Sequence, residues 1–275
     1  MKRFLVPTDG SEPASKGVRY AVALAQRYKA MLIGVHVVDV KLLEGPFLRD
    51  ISASLGTAPY VNYQGNIAML LEERGRAALD YLADTCREAG VPCEIDQITG
   101  MVVNSIVEKS QKTDLIVIGR GGEHSQWLDG LVGSTTAAVV RRAKTPVLVT
   151  GTEKMRHRLF VVAYDGSPHA RTALEKAARI AVEWQVPCHV LVVGDESARH
   201  LLDEARAVLN NLPVQVNYVL RQGDPSETIV EYTGESGADL LIMGAYGHTK
   251  VRELVVGSTT AYALNHAPCP LLLSR

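Results

Sequence analysis

The sequence predicts an α/β protein of two tandem, doubly wound (Rossmann-like) domains, each a five-stranded parallel sheet with helices on both faces. Three observations predict it. A set of short motifs occurs twice in the same order. Apolar runs alternate with helical stripes. The apolar runs are continuous instead of alternating with polar residues, as in a parallel sheet covered on both faces. The 275 residues leave room for two domains, at roughly 150 residues each. With 47% hydrophobic and 21% charged residues, disordered, collagen-like and coiled-coil classes are excluded.

The duplication runs through the whole chain. Asp9-Gly10-Ser11 follows Phe4-Leu5-Val6, and Asp165-Gly166-Ser167 follows Leu159 to Ala163. Asp114 to Gly119 resembles Asp239 to Gly244, and Gly133-Ser134-Thr135-Thr136 matches Gly257-Ser258-Thr259-Thr260. Each half closes on a proline-led apolar run, Pro146 to Val149 and Pro270 to Leu273. Asp9 and Asp165 are 156 positions apart but Gly119 and Gly244 only 125, so the first half carries 31 extra residues. They are expected in an excursion from the fold at about 41–66, with a short helix, because Gly45, Pro46, Gly56, Pro59 and Gly65 interrupt any sustained period there. The expected domains are 1–150 and 157–275, joined by the polar stretch 151–157.

The second half shows each element in order. Leu159 to Ala163 reads as a strand, and Ala170, Leu174, Ala177, Ala181 and Trp184 mark one helical face. Cys188 to Val193 is the second strand, Leu201 to Leu209 a second helical stripe, and Val214 to Leu220 the third strand. Asp224-Pro225-Ser226-Glu227 opens a short helix, with Asp224 as N-cap, Pro225 at the first position and Glu227 as capping-box partner. Leu240 to Met243, a helix from Ser258, and Leu271 to Leu273 complete five strands and four helices.

In open parallel sheets, ligands bind beyond the carboxyl ends of the strands. Asp9 and Asp165 follow the first strands, where an Asp before Gly-Ser can touch a ligand, form an Asx turn, or do both. Gly244 and Gly247 follow the fourth strand of the second half, and Gly257-Ser258 opens the next helix. Glycines let backbone N–H groups approach an anion, and a helix start adds free N–H groups and a favourable dipole. The hydroxyls of Ser258, Thr259 and Thr260 can add hydrogen bonds, and His248, Lys250 and Arg252 add positive charge. Against this stands a plain tight turn with Ser258 as an ordinary N-cap. No G-x-x-x-x-G-K-[ST] occurs, and Gly119 to His124 misses G-x-G-x-x-G at its last position.

At these residues the chain resembles the universal stress protein family in its tandem form, with one copy at about 1–150 and another at about 157–275. ATP-binding members of that family carry G-x2-G-x9-G-[ST]. The second half matches it without gaps at Gly244, Gly247, Gly257 and Ser258. The first half has Gly119, Gly122, Gly133 and Ser134, with ten residues in place of nine before Gly133. The resemblance implies an adenine-nucleotide-hydrolase-like fold. It implies ATP as ligand, with AMP or ADP as alternatives and Mg²⁺ accompanying ATP. It implies Asp9 and Asp165, and backbone near Val38 and Val193, on the adenosine side. It also implies pairing through the last strands, here an internal pseudo-dimer, with a homodimer of whole chains as a further expectation.

Charge separates the halves. Between 244 and 257 lie Lys250, Arg252 and Glu253, net +1; between 119 and 133 lie Arg120, Glu123 and Asp129, net −1. A triphosphate is therefore expected mainly in the second half. No G-x-S-x-G elbow or paired-carboxylate arrangement names a catalytic group. A non-enzymatic nucleotide-binding stress protein is the leading expectation, and an empty interaction module or a slow Mg²⁺-dependent ATPase are the alternatives.

The remaining residues set limits. Net charge is −1, which gives no general pull toward nucleic acid or anionic membrane. Cys86, Cys93, Cys188 and Cys269 show no metal-ligand spacing and read as buried or half-buried thiols of a reduced compartment. No secretory leader pattern or run of ~18 apolar residues occurs, so a cytoplasmic location is expected. His36 and His189 are expected at core or edge positions, and Tyr20 and Tyr28 in packing. Trp127 fits a packed anchor or an exposed contact.

Overall fold

The computed structural model describes residues 2–44, 60–122, 132–151, 158–210, 212–245 and 257–275. The chain divides by compactness into Met1–Ile118 and Gly119–Arg275.

In the first unit, strand β1 (Arg3–Pro7) leads through helix α1 (Glu12–Tyr28) to β2 (Met31–Asp39). Helices α2 (Val40–Glu44) and α3 (Tyr60–Glu88) precede β3 (Cys93–Gly100), α4 (Val102–Ser110) and β4 (Leu115–Gly119). The strand order is β3-β2-β1-β4, and the pairings are parallel, with Leu5 opposite both Ile33 and Ile116. Phe4, Leu5, Leu32 and Ile116 are fully buried, as expected of continuous apolar strands covered by helices.

The second unit begins with α5 (Ser134–Arg142) and β5 (Val147–Thr150). It continues as β6 (Phe160–Ala163), α6 (Pro168–Trp184), β7 (Cys188–Val193), α7 (Arg199–Val208) and β8 (Val216–Arg221). Then come α8 (Pro225–Glu235), β9 (Leu240–Gly244), α9 (Ser258–His266) and β10 (Leu271–Ser274). The order here is β5-β10-β9-β6-β7-β8. The five strands β6 to β10 pair in parallel, and β5 lies antiparallel to β10 with Leu148 opposite Leu272. The fold is thus the expected α/β, Rossmann-like one. The compact unit starts at Gly119, ahead of the repeat boundary expected at 151–157, because β5 is hydrogen-bonded to β10.

The excursion expected at 41–66, with a short helix, is corrected at its far end. Residues 40–44 are helical, 45–59 lie outside the described residues, and α3 begins at Tyr60 and runs for 29 residues. Gly65 reads as a breaker, yet it lies inside α3 with no side-chain neighbour within 4 Å. An exposed helical glycine costs only about 1 kcal/mol relative to Ala, which the long packed helix overrides. Leu82 of α3 is fully buried and fills the space where a Gly34 side chain would stand, with its Cδ1 2.9 Å from that Cβ position.

Helix starts follow their cap residues. Ser11 Oγ accepts from Ala14 N at 3.3 Å, Ser167 Oγ from Ala170 N at 3.1 Å, and Asp224 Oδ1 from Ser226 N at 2.8 Å. The first helices of both halves stop on a left-handed residue that is not glycine, Lys29 at φ 50° and Gln185 at φ 55°. Beyond each, Ala30 N donates to Ala25 O and Val186 N to Ala181 O, closing the same stop motif.

Candidate functional site

The turn after each first strand is built the same way. Asp9 Oδ1 accepts from Ser11 N at 3.0 Å and Ser11 Oγ at 2.6 Å, and Asp165 Oδ1 accepts from Ser167 N at 3.0 Å. Both carboxylates therefore form Asx turns, and both residues are exposed. Gly10 at φ 77° and Gly166 at φ 76° occupy the left-handed region that favours glycine. Tyr164, just before Asp165, was not singled out by sequence: it is buried, and its hydroxyl donates to Glu204 Oε2 at 3.3 Å, an oxygen that also accepts from Arg171 at 3.2 Å. Burial pushes its phenol above the ordinary tyrosine range. Its counterpart Thr8 is a different chemical type, so the repeat gave no signal for it.

The second strands end nearby. Val193 is the last residue of β7 and half-buried, while Val38 is buried one residue before the end of β2. Thr8 N donates to Val35 O as Tyr164 N does to Leu191 O, both at 2.9 Å. This register makes Val37, not Val38, the counterpart of Val193.

The helix after each fourth strand carries the feature closest to anion chemistry. The N-cap of α9 is Gly257 (φ −58°, ψ 149°) and that of α5 is Gly133 (φ −62°, ψ 145°). Neither start has a side-chain cap bond, in contrast to the helices capped by Ser11, Ser167 and Asp224. Ser258 is therefore the first helical residue and not the N-cap. Ser258 and Ser134 are exposed, and Thr259 is half-buried. Thr260 is corrected as a ligand donor: it is buried and its hydroxyl donates to Ala245 O at 3.4 Å, just as Thr136 donates to Gly119 O at 2.8 Å. These threonines tie the helix start to the end of the fourth strand.

The glycines have their own steric reasons. A Cβ on Gly133 would stand 3.2 Å from Gly121 Cα and 3.4 Å from Gly122 N, and Gly133 N donates to Arg120 O at 2.8 Å. A Cβ on Gly244 would stand 2.8 Å from Ala170 N. Backbone meets backbone at both places, so only glycine fits without a shift.

Arg120 does not join this cradle. Its Nη2 donates to Ala267 O at 2.8 Å and Cys269 O at 3.3 Å, beyond the end of α9, and burial pulls its guanidinium below the ordinary range. The histidines also have structural partners. His36 Nδ1 lies 2.9 Å from Thr8 O, and His189 Nδ1 and Nε2 lie 2.7 Å from Tyr232 Oη and 2.9 Å from Asn217 Nδ2. Tyr28 packs edge-on against Phe4 at 5.8 Å. Cys86, Cys188 and Cys269 are buried, and Cys93 is half-buried.

Asp165, Val193, Gly244, Gly257, Ser258 and Thr259 all belong to one compact unit, at the carboxyl ends of β6, β7 and β9 and the start of α9. In the first half, Asp9 and Val38 belong to one unit and Gly119, Gly122, Gly133 and Ser134 to the other. Gly247, His248, Lys250 and Arg252, and in the first half His124 and Trp127, lie outside the described residues. Among the described residues, no group of three or more His, Cys, Asp or Glu is placed to hold a metal ion, and no helix is long and apolar enough to cross a membrane.

The sequence model described as the universal stress protein family matches residues 1–151 and 193–275. A universal stress protein of Synechocystis sp. is 28% identical over 287 aligned positions that cover all of both chains. One from Methanocaldococcus jannaschii is 32% identical over 151, covering 54% of this chain and 81% of its own. Among solved structures, a universal stress protein from Archaeoglobus fulgidus shares the fold at a TM-score of 0.80 and 22% identity, covering 99% of this chain and 98% of that one.

Proposed function

Because the chain belongs to the universal stress protein family, we propose that it is a non-enzymatic adenine-nucleotide-binding regulatory protein that holds ATP mainly in its second half. The observation that carries this reading is the glycine-capped start of α9. Its N-cap is a glycine, which offers no side chain to its first N–H groups, and they stand at the carboxyl edge of β9 in the same unit as Asp165 and Val193. An uncapped helix start suits phosphate oxygens, through hydrogen bonds and the dipole together.

In this reading Gly244, Gly247, Gly257, Ser258, Thr259 and His248 face the phosphates, and Asp165 and Val193 face the adenosine. The first-half residues Asp9, Val38, Gly119, Gly122, Gly133 and Ser134 bind more weakly, since Arg120 is turned to the Ala267 and Cys269 carbonyls. AMP or ADP would use the same backbone groups. Mg²⁺ entering with ATP would be held chiefly by the phosphates and water, its usual mode. The pairing of β5 with β10 supports an internal pseudo-dimer of the sequence halves 1–150 and 157–275. A homodimer of whole chains and a cytoplasmic location complete the proposal.

The test is to denature freshly purified full-length protein and identify released nucleotide by mass spectrometry, with calorimetry on the stripped protein. Released or rebound adenine nucleotide is the expected result. Neither release nor rebinding would leave an interaction module without nucleotide. Phosphate release above that of Gly257→Val would mark a slow ATPase.

A further inference from the structure

The first unit contains a pair of thiols that nucleotide binding does not use. Cys86 sits in the last turn of α3, and Cys93 opens β3. The backbone between them brings them together. Gly90 takes φ 66°, Gly90 N donates to Arg87 O at 3.2 Å, and Val91 N donates to Cys86 O at 2.9 Å. In such a helix stop, the residue in Cys86's position packs against the one in Val91's position. Cys93 lies two residues further along extended chain, so its side chain returns to the face of Val91.

Packing places the two free thiols on facing surfaces: Leu82 Cδ1 and Ile95 Cγ2 meet the Gly34 Cβ position at 2.9 Å and 3.4 Å, Cys86 stands one helical turn after Leu82, and Cys93 stands two residues before Ile95 on the same strand face. Cys86 is 1% exposed, whereas Cys93 is half-buried and open to small reagents. The Cys93 thiol donates to Glu94 O at 3.6 Å, and the neighbouring Cys86 thiol and Gly34 backbone hold it below the ordinary thiol range. The neighbouring Cys93 sulfur, with burial, keeps the proton on Cys86. One sulfur is thus prepared to react first and the other to follow.

We propose that Cys93 and Cys86 form a redox site in which a hydroperoxide converts the thiol pair to an intramolecular disulfide. The Cys93 thiolate attacks the terminal peroxide oxygen, the O–O bond breaks, and the leaving alkoxide or hydroxide takes a proton from water. Cys93 is then a sulfenic acid. The Cys86 sulfur attacks the Cys93 sulfur, the S–O bond breaks, and the hydroxide leaves as water with the Cys86 proton. The pair loses two electrons, and the peroxide is reduced to an alcohol, or to water, plus the water released. An external dithiol restores the pair by exchange.

The bond would fasten the end of α3 to β3, the outermost strand of the first unit's sheet. The device belongs to the first half alone. Leu32 pairs with Cys93 as Cys188 pairs with Val216, so the second half has a valine where the first has its reactive sulfur.

Full-length protein is treated with hydrogen peroxide, denatured, capped with maleimide, digested without reductant and mapped by mass spectrometry. The expected result is a peptide linking Cys86 to Cys93, with Cys188 and Cys269 capped. In Cys86→Ala the link disappears and dimedone labels Cys93; in Cys93→Ser the link disappears and Cys86 is capped. If Cys86→Ala fails to fold, the wild-type map and Cys93→Ser still decide. All four thiols capped after treatment, or links only to Cys188, Cys269 or a second chain, would overturn the proposal. None of these readouts depends on nucleotide.

Discussion

Arg120 and Ala245 follow equivalent strands and do different work. The half-buried arginine leaves its own loop to donate to the carbonyls of Ala267 and Cys269, and desolvation holds its guanidinium below the ordinary range. The alanine is buried and uses only its backbone: its carbonyl accepts from Thr260, and its N–H donates to Ser274 O at 2.8 Å. Around them the two copies agree closely. Each has a glycine N-cap without a side-chain bond, a threonine three residues on that ties the helix to the strand, and an Asx turn before the first helix. The copies have kept their backbone devices and diverged in charged side chains. In the proposed function the backbone devices are common to both copies, and charge is what would separate their affinities for a phosphate.

The largest expected effect tests that distinction. Gly257→Val should weaken ATP binding by about a hundredfold and Gly133→Val by less than about twofold, because a hydrogen bond to a charged group is worth about 1.5–3 kcal/mol and about 1.4 kcal/mol is tenfold. Titration calorimetry on full-length variants measures it, and the reverse ranking would move the nucleotide to the first half.

The strand-to-helix turns should respond more evenly. Gly10→Ala and Gly166→Ala each force a left-handed conformation on a residue with a Cβ, at a cost of about 1–2 kcal/mol. The second should be the worse of the two, since its Cβ would stand 2.7 Å from Leu201 Cδ2 against 3.3 Å from Ala78 Cβ at Gly10. Urea unfolding gives both values.

A pH effect is expected at His189 in the second half. Burial holds the His189 imidazole below its ordinary value of 6.5. Above that value both folded and unfolded states are neutral there, and the full stability is present. As pH falls through it the unfolded chain takes up a proton first, so stability drops. The position equivalent to His189 is Ile33, which cannot titrate. Thermal unfolding from pH 8 to 5 should therefore show a shallower decline in His189→Gln than in the natural protein.

The smallest effect should be a gain. Lys29→Gly and Gln185→Gly relieve matching left-handed stops, and each should stabilise by about 0.5–1 kcal/mol. Unequal gains measured by calorimetry would show that the two first helices end under different strain.

Much of this was legible in the residues. The repeated Asp-Gly-Ser located both turns, the Gly-Ser-Thr-Thr runs located both helix starts, and apolar periodicity found the second-half strands to within a residue or two. Asp114 shows a role the repeat marked without explaining: its Oδ2 accepts from Lys2 N at 2.5 Å and Arg3 N at 3.0 Å, as Asp239 Oδ2 accepts from Arg158 N at 2.9 Å. Those carboxylates cap the entry to the first strands. What stayed hidden depends on long-range contact. Nothing local shows that Arg120 reaches a helix end 147 positions away. Nor does it show that Thr260 turns inward; the match of Val193 to Val37, by contrast, follows from the 156-residue offset of the repeat. The early start of α3 was missed because Gly65 was weighed as punctuation, while packing along the rest of the helix outweighs one glycine.

The antiparallel seam of β5 and β10 joins the closing segments of the two sequence repeats inside one polypeptide. When identical subunits join in that way, any substitution appears on both sides and must suit both. Here each side can accept its own changes. That freedom lets Arg120 stand in one copy where the other has Ala245.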